Sequence, residues 1–414
     1  MAKINFERLV LKNGLEIILH QDTQTPLIAV NTLYKVGSRN ETPDKTGFAH
    51  LFEHLMFSGS SHVPDYDTVI VNACGENNAF TNTDITNFYA VIPAQNLEVA
   101  LWAESDRMQS LNFIQQSLDV QRKVVVEEFK QRYLNKPYGD VWHLLRPLIY
   151  NVHPYQWPTI GKKIEHIEHA TMAEVKDFYN AWYAPNNAVL SIAGNMNIDK
   201  TKTMVEKWFS DIPPKKVPTL HLPDEPEKRE KTCLTVERNV PASALYMAFL
   251  MPERLHERYP VYDLISDLLC NGKSSRLYYS LVKEKKIFQE IYGYIAGSYD
   301  KGFLMLEGKI HDNTTLEQAE EAVWKELYDV KQSLREYELQ KVKNKYESAF
   351  ISSYINIMAR AELLAYYQTL GDAEWFNTEM KKYEKVGLHD ILSVFETCLI
   401  PSKSVVLYYK KASL

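Results

Sequence analysis

The stretch 213–231 constrains the fold more than any other: it holds Pro213, Pro214, Pro218, Pro223 and Pro226 among alternating charges and carries no apolar period. Proline fixes φ and removes a backbone donor, so this run reads as a linker that divides the 414 residues near their middle, into 1–212 and 232–414. Before it, strands are expected at 15–19 and 28–34, and helices at 47–57 and 65–74. A Thr-, Phe- and Tyr-rich hairpin follows over 78–83 and 86–92, then a helix at 93–111. A long helix pair over 117–150, interrupted at Pro137 and Gly139, leads to a helix at 171–182, a strand at 188–193 and a helix at 199–209. Beyond the linker the plan restarts, with strands at 233–237 and 242–250 and helices at 259–270 and 275–284. Strands at 291–298 and 303–310 and long helices from Leu316 and Glu336 complete it. A shift of 213 lays residues 52–59 over 265–272, which suggests duplication. His50, Glu53 and His54 then fall opposite Asp263, Ser266 and Asp267. Coincidence between two amphipathic helices is the alternative.

Lys and Arg number 47 against 53 Asp and Glu, a net charge of −6 without a basic block, which argues against a nucleic-acid partner. Cys74, Cys233, Cys270 and Cys398 form no CxxC pair, so neither a thiolate metal site nor a disulfide framework is suggested. Residues 1–16 break their apolar positions with Glu7, Arg8, Lys12, Asn13 and Gly14, unlike a signal peptide. Nowhere do roughly 20 uninterrupted apolar residues occur, the length a bilayer requires. The expectation is a soluble cytoplasmic protein without membrane contact, ahead of a periplasmic one.

On the helix over 47–57, His50 and His54 stand at i and i+4 and can aim both imidazoles at one metal ion, with Glu53 on the same face. His-x-x-Glu-His is the zincin order reversed, a catalytic signature in which the Glu takes a proton from water activated by zinc. A catalytic zinc commonly takes three protein ligands. The helix around Gln121 to Phe129 offers Glu128, read as lying on the apolar face with Val124 and Val125, while Glu127 shares the solvated side with Lys123 and Lys130. A salt bridge between Glu128 and Arg132 at i+4 is the other reading. Glu165, His166, Glu168 and His169 lack the spacing of a metal site and read as surface. The segment 75–86, with Asn78, Ala79 and Phe80, can offer an open strand edge to an extended peptide, or be an ordinary hairpin.

These residues together resemble the pitrilysin family of metallopeptidases, which includes insulysin and the mitochondrial processing peptidase. The resemblance is carried by Gly14-Leu15-Glu16-Ile17-Ile18, Val36-Gly37-Ser38-Arg39-Asn40-Glu41, Gly47-Phe48-Ala49-His50-Leu51-Phe52-Glu53-His54-Leu55-Met56-Phe57, Asn78-Ala79-Phe80-Thr81, Arg122-Lys123-Val124-Val125-Val126-Glu127-Glu128 and Gly272-Lys273-Ser274-Ser275-Arg276-Leu277. It implies an α+β fold of two structurally similar domains, each an antiparallel-rich sheet packed with helices. It also implies one zinc ion per chain on His50, His54 and Glu128, Glu53 as general base, and substrate adding to the edge near Asn78, Ala79 and Phe80. Two such halves in the family close like a clamshell around a peptide-sized chamber.

Two departures stand out. A Glu that many relatives carry seven residues before the third ligand is Gln121 here. The Arg and Tyr that bind substrate from the second half of active relatives are replaced by Val282 and Gln289. The expectation is therefore a zinc peptidase for peptides or small unfolded proteins that forms the zinc-bearing subunit of a heterodimer, with a homologous partner supplying the Arg and Tyr. A homodimer using Tyr292 or Tyr294 ranks below it. A non-catalytic assembly subunit and a zinc hydrolase of non-peptide substrates are the competing classes.

Overall fold

The computed structural model describes residues 3–412. The chain forms two compact units. The first comprises Met1–Leu134, Trp157–Leu222 and Ile351–Asn377, and the second Asn135–Gln156, Pro223–Phe350 and Thr378–Leu414. One boundary, between Leu222 and Pro223, falls inside the proline-rich stretch. The units nevertheless depart from the contiguous halves 1–212 and 232–414, because each takes one segment from the other half of the sequence.

In the first unit, β1 (Glu7–Val10), β2 (Glu16–Gln21), β3 (Leu27–Tyr34), β4 (Glu76–Thr81), β5 (Thr86–Pro93) and β6 (Ala188–Gly194) form a sheet in the order β1-β2-β6-β3-β5-β4. In the second, β7 (Thr232–Arg238), β8 (Ala244–Met251), β9 (Phe288–Ala296), β10 (Gly302–Ile310) and β11 (Ser404–Lys411) follow the order β7-β11-β8-β10-β9. Apart from β1, the sheets match strand for strand. β2 runs parallel to β6 as β7 does to β11, and every other neighbouring pair is antiparallel. Two similar domains are thus present, and a chance likeness of two helices would not reproduce the order and direction of five strands. The weak 213-residue offset belongs to this repeat: helix Phe48–Leu55 follows β3, and helix Tyr259–Cys270 follows β8.

The exchanged segments explain the composition of the central strands. In β3, Ile28 and Val30 face the main core of the first unit, while Ala29 and its neighbour Ala193 of β6 pack under Ile357 and Ala361 of helix Ile357–Leu370. In the second unit, helix Val141–Ile149 lays Val141, Leu145 and Ile149 on Ala244, Ala248 and Leu407. Strands covered on both faces lose the alternation of a half-exposed sheet and read as nearly continuous apolar runs. Among the described residues, no helix is long and apolar enough to cross a membrane.

Most elements lie within a few residues of where the sequence places them. Two stretches differ in kind: Tyr278–Glu284 within the expected helix over 275–284, and Lys130–Leu134 within the expected helix pair over 117–150, wind as π-helical segments. Strands β1 and β11 and the helices after Ser353 were not read from the sequence.

Candidate metal centre

Helix Phe48–Leu55 begins on Gly47, whose φ of 89° is left-handed and where a Cβ would meet the Ile160 carbonyl oxygen at 2.6 Å. Its first turn is capped from a distance by a carboxylate. Glu41 accepts the Gly47 and Ala49 backbone N–H groups, each at 2.9 Å, and the Trp157 indole N–H at 3.1 Å. Burial pushes the Glu41 carboxyl up to about 8, opposed by these donors. Negative charge at a helix N-terminus is favourable, and three donors leave a protonated carboxyl no acceptor. Above about pH 8, where the carboxyl is ionised, Glu41→Gln exchanges one accepting oxygen for a donor that faces donors, which should cost about 2–3 kcal/mol. Urea unfolding reads this directly; an unchanged midpoint would show that the cap contributes nothing.

The helix buries Phe48, Ala49, Leu51, Phe52 and Leu55, with the Phe52 ring stacked on Tyr183 at 4.9 Å. His50, Glu53 and His54 lie on the other side. The two imidazoles meet edge to face with centroids 4.9 Å apart. Helix Gln115–Phe129 packs against this helix and brings Glu128 to them. Its Oε2 lies 3.7 Å from His50 Nε2 and 3.9 Å from His54 Nε2. Among the described residues these three form the only cluster of such groups able to hold a metal, with ligand atoms all within 4.8 Å of one another.

The site fits a metal on its own evidence. Glu128 Oε2, which faces both Nε2 atoms, is buried without a hydrogen-bond partner, a costly arrangement unless another group satisfies it. Burial lowers the His50 pKa to about 3 and lowers that of His54 as well, the latter opposed by Glu128. Both rings are therefore neutral at pH 7, as metal ligation requires. Two imidazoles and one carboxylate are a familiar catalytic zinc set.

Glu128 is half-buried and makes no ion pair with Arg132, so the alternative reading of that carboxylate does not hold. The reason given for its placement needs correction: Val124 is exposed, and the buried stripe is Leu118, Val125, Val126 and Phe129. Glu127 is exposed and pairs with Lys130 at 2.7 Å. His166, read as surface, is half-buried and accepts the Thr46 N–H just before the motif helix.

Asn78, Ala79 and Phe80 lie on β4, the end strand of the first sheet, which pairs with β5 alone. They line a cleft of about 430 Å³ with His50, Glu53, His54, Glu128 and Arg132. Three groups here have contacts or placements that sequence reasoning did not assign. Thr81 donates its hydroxyl to Glu53 Oε2 at 2.6 Å. Burial holds the Glu53 pKa above its ordinary value, and that hydrogen bond opposes the shift. Gln121, at the departing position, donates to Ser58 Oγ at 3.1 Å. Arg132 follows the third carboxylate on a π-helical turn, Lys130–Leu134. The spacing of Thr81 in Asn78-Ala79-Phe80-Thr81 was visible, but its contact was not.

The repeated helix shows why the second unit lacks this cluster. Asp263 and Asp267 stand where the offset places His50 and His54, and Lys345 of helix Glu336–Ser353 reaches Asp267 Oδ1 at 2.9 Å. An ammonium group there supplies the positive charge.

Two family models match the chain: insulinase (peptidase family M16) over residues 16–148, and the peptidase M16 inactive domain over 169–346. The chain belongs to the insulinase/pitrilysin peptidase family M16. One relative in the family, the zinc protease PqqE of Helicobacter pylori, is 27% identical over 411 residues, covering 98% of this chain and 92% of that protein. Human insulin-degrading enzyme is 26% identical over 242 residues, covering 55% of this chain and 23% of that protein. The crystal structure of a protease from Helicobacter pylori superposes with a TM-score of 0.92 at 27% identity, covering 98% of this chain and all (100%) of that one. M16 relatives are thus named zinc proteases, and the fold is theirs.

Proposed function

We propose that this chain is a zinc metallopeptidase that cleaves peptides or small unfolded proteins. The observation that carries the reading is the convergence of His50, His54 and Glu128 beside a buried carboxylate, Glu53, on the same helix face. In this reading His50, His54 and Glu128 hold the metal. Bound zinc supplies a Lewis acid for the scissile carbonyl and acidifies a water molecule. The Thr81 hydroxyl occupies Glu53 Oε2 and fixes the carboxylate, so the water proton is taken at Oε1. Extended substrate adds to the open edge of β4 through main-chain hydrogen bonds, placing its backbone past Asn78, Ala79 and Phe80.

The chain acts as the zinc-bearing subunit of a heterodimer closed around a chamber. What supports this is the state of the two departing positions. Val282 is packed against the core of its own unit, and Gln289 donates to the Ile310 carbonyl at 2.8 Å, so neither offers a group to substrate. Tyr292 is exposed on β9 but hydrogen-bonded to Glu290, and Tyr294 is half-buried against Glu307. A homologous subunit would bring the Arg and Tyr.

The test is metal content and hydrolysis of a mixed peptide library by the purified chain, alone and with a copurifying homologue. One zinc per chain is expected, with hydrolysis lost on chelation and restored by zinc. His50→Ala should bind no zinc at micromolar concentrations. A chain that binds no metal overturns the proposal in favour of a non-catalytic assembly subunit; turnover without a partner overturns only the heterodimer.

A further inference from the structure

Arg132 is the one cation among the described residues that line the cleft. It sits at i+4 from Glu128, where either an α-helical or a π-helical turn keeps it on nearly the same side. Even so, it makes no ion pair with Glu128 or Glu53. Arg132 is an exposed residue at the wall of the same cleft. A charge count gives this position a consequence. A divalent ion with Glu128 and Glu53 sums to zero, so Arg132 leaves the loaded cleft with one net positive charge. The remaining lining, Phe57, Ala79 and Phe80 with Asn78 and Thr81, offers nothing charged.

We propose that Arg132 is a specificity-determining residue that receives a carboxylate of the peptide substrate, either an acidic side chain near the scissile bond or the free C-terminus. The inference rests on the peptidase reading above. A guanidinium presents a planar fork that matches a carboxylate with two parallel hydrogen bonds, and this one is not paired with Glu53 or Glu128.

The experiment uses the zinc-loaded full chain, with its homologous subunit if turnover requires one. The substrates are peptides of one sequence in which Glu or Gln is scanned through each position, each made with a free or amidated C-terminus. Wild type should favour carboxylate-bearing peptides in kcat/KM by roughly tenfold or more, the size of one charge-assisted pair, mainly through KM. In Arg132→Gln that ratio should collapse to about one, and Arg132→Lys should keep part of it. A preference confined to the Glu scan assigns an acidic side chain, and one confined to the free terminus assigns the C-terminal carboxylate. A wild-type ratio near one, or a ratio retained in Arg132→Gln, overturns the proposal. Peptide affinities for zinc-loaded Glu53→Gln, with and without Arg132→Gln, read the same preference without turnover. A failure of the peptidase reading is therefore distinguishable from a failure of this one.

Discussion

Glu53→Gln is expected to keep one zinc per chain while hydrolysis falls by about 10²–10⁴-fold, the range that a positioned general base contributes. The amide is nearly isosteric, still accepts the Thr81 hydroxyl through its oxygen and leaves His50, His54 and Glu128 untouched. What it lacks is the ability to take a proton. Parallel measurements of zinc content and of single-turnover cleavage separate this from damage to the metal site. Should the variant cut peptides at the wild-type rate, Glu53 is not the base. Should it lose zinc, the carboxylate has a structural share in the site that the present geometry does not give it.

The largest expected effect on stability lies in the core of the first unit, at Glu104. Its carboxylate is fully buried and accepts hydrogen bonds from Thr32 Oγ1 at 2.7 Å, from the Tyr66 hydroxyl and from Arg107. Arg107 is itself 1% exposed, with its guanidinium 4.1 Å and 4.3 Å from the centroids of the Tyr66 and Phe88 rings. Glu104→Ala leaves that charge buried without a counter-charge, and removing one partner of such a pair costs about 3–5 kcal/mol. For a unit of this size the melting temperature should drop by roughly 6–20 °C. Glu104→Leu combined with Arg107→Met, which removes both charges, should recover most of the loss. If the double variant melts as low as Glu104→Ala, packing rather than the orphaned charge sets the cost.

What could be read in advance was what helix and strand periodicity encode locally. His50, Glu53 and His54 share a face because four residues make about one turn, and that holds wherever the helix packs. The edge strand carrying Asn78, Ala79 and Phe80 was legible from its small residues and the Gly75 turn that precedes it. The groups that hold the site together were not legible, because each acts across a long separation in sequence. Glu41 caps the motif helix together with Trp157, and Thr81 reaches Glu53 from another element. Arg132 was considered only as a partner for Glu128, since i+4 spacing says which side it is on but not which group it meets. The duplication was visible as a weak offset because strand order is conserved in three dimensions while its residues have diverged.

The exchange of helices between the two units also fixes a sequence of events during synthesis. All six strands of the first sheet have emerged by Gly194, yet the helix that covers Ala29 and Ala193 begins only at Ile357. At about 5–20 residues per second, the face of β3 and β6 waits roughly 8–30 s on the ribosome for its cover. During that interval the nascent chain presents an apolar sheet surface to the cytosol's chaperones and to neighbouring chains. Separate expression of the two halves, cut within 213–231, would make that wait permanent for both, because each half carries the helix that the other half's sheet needs.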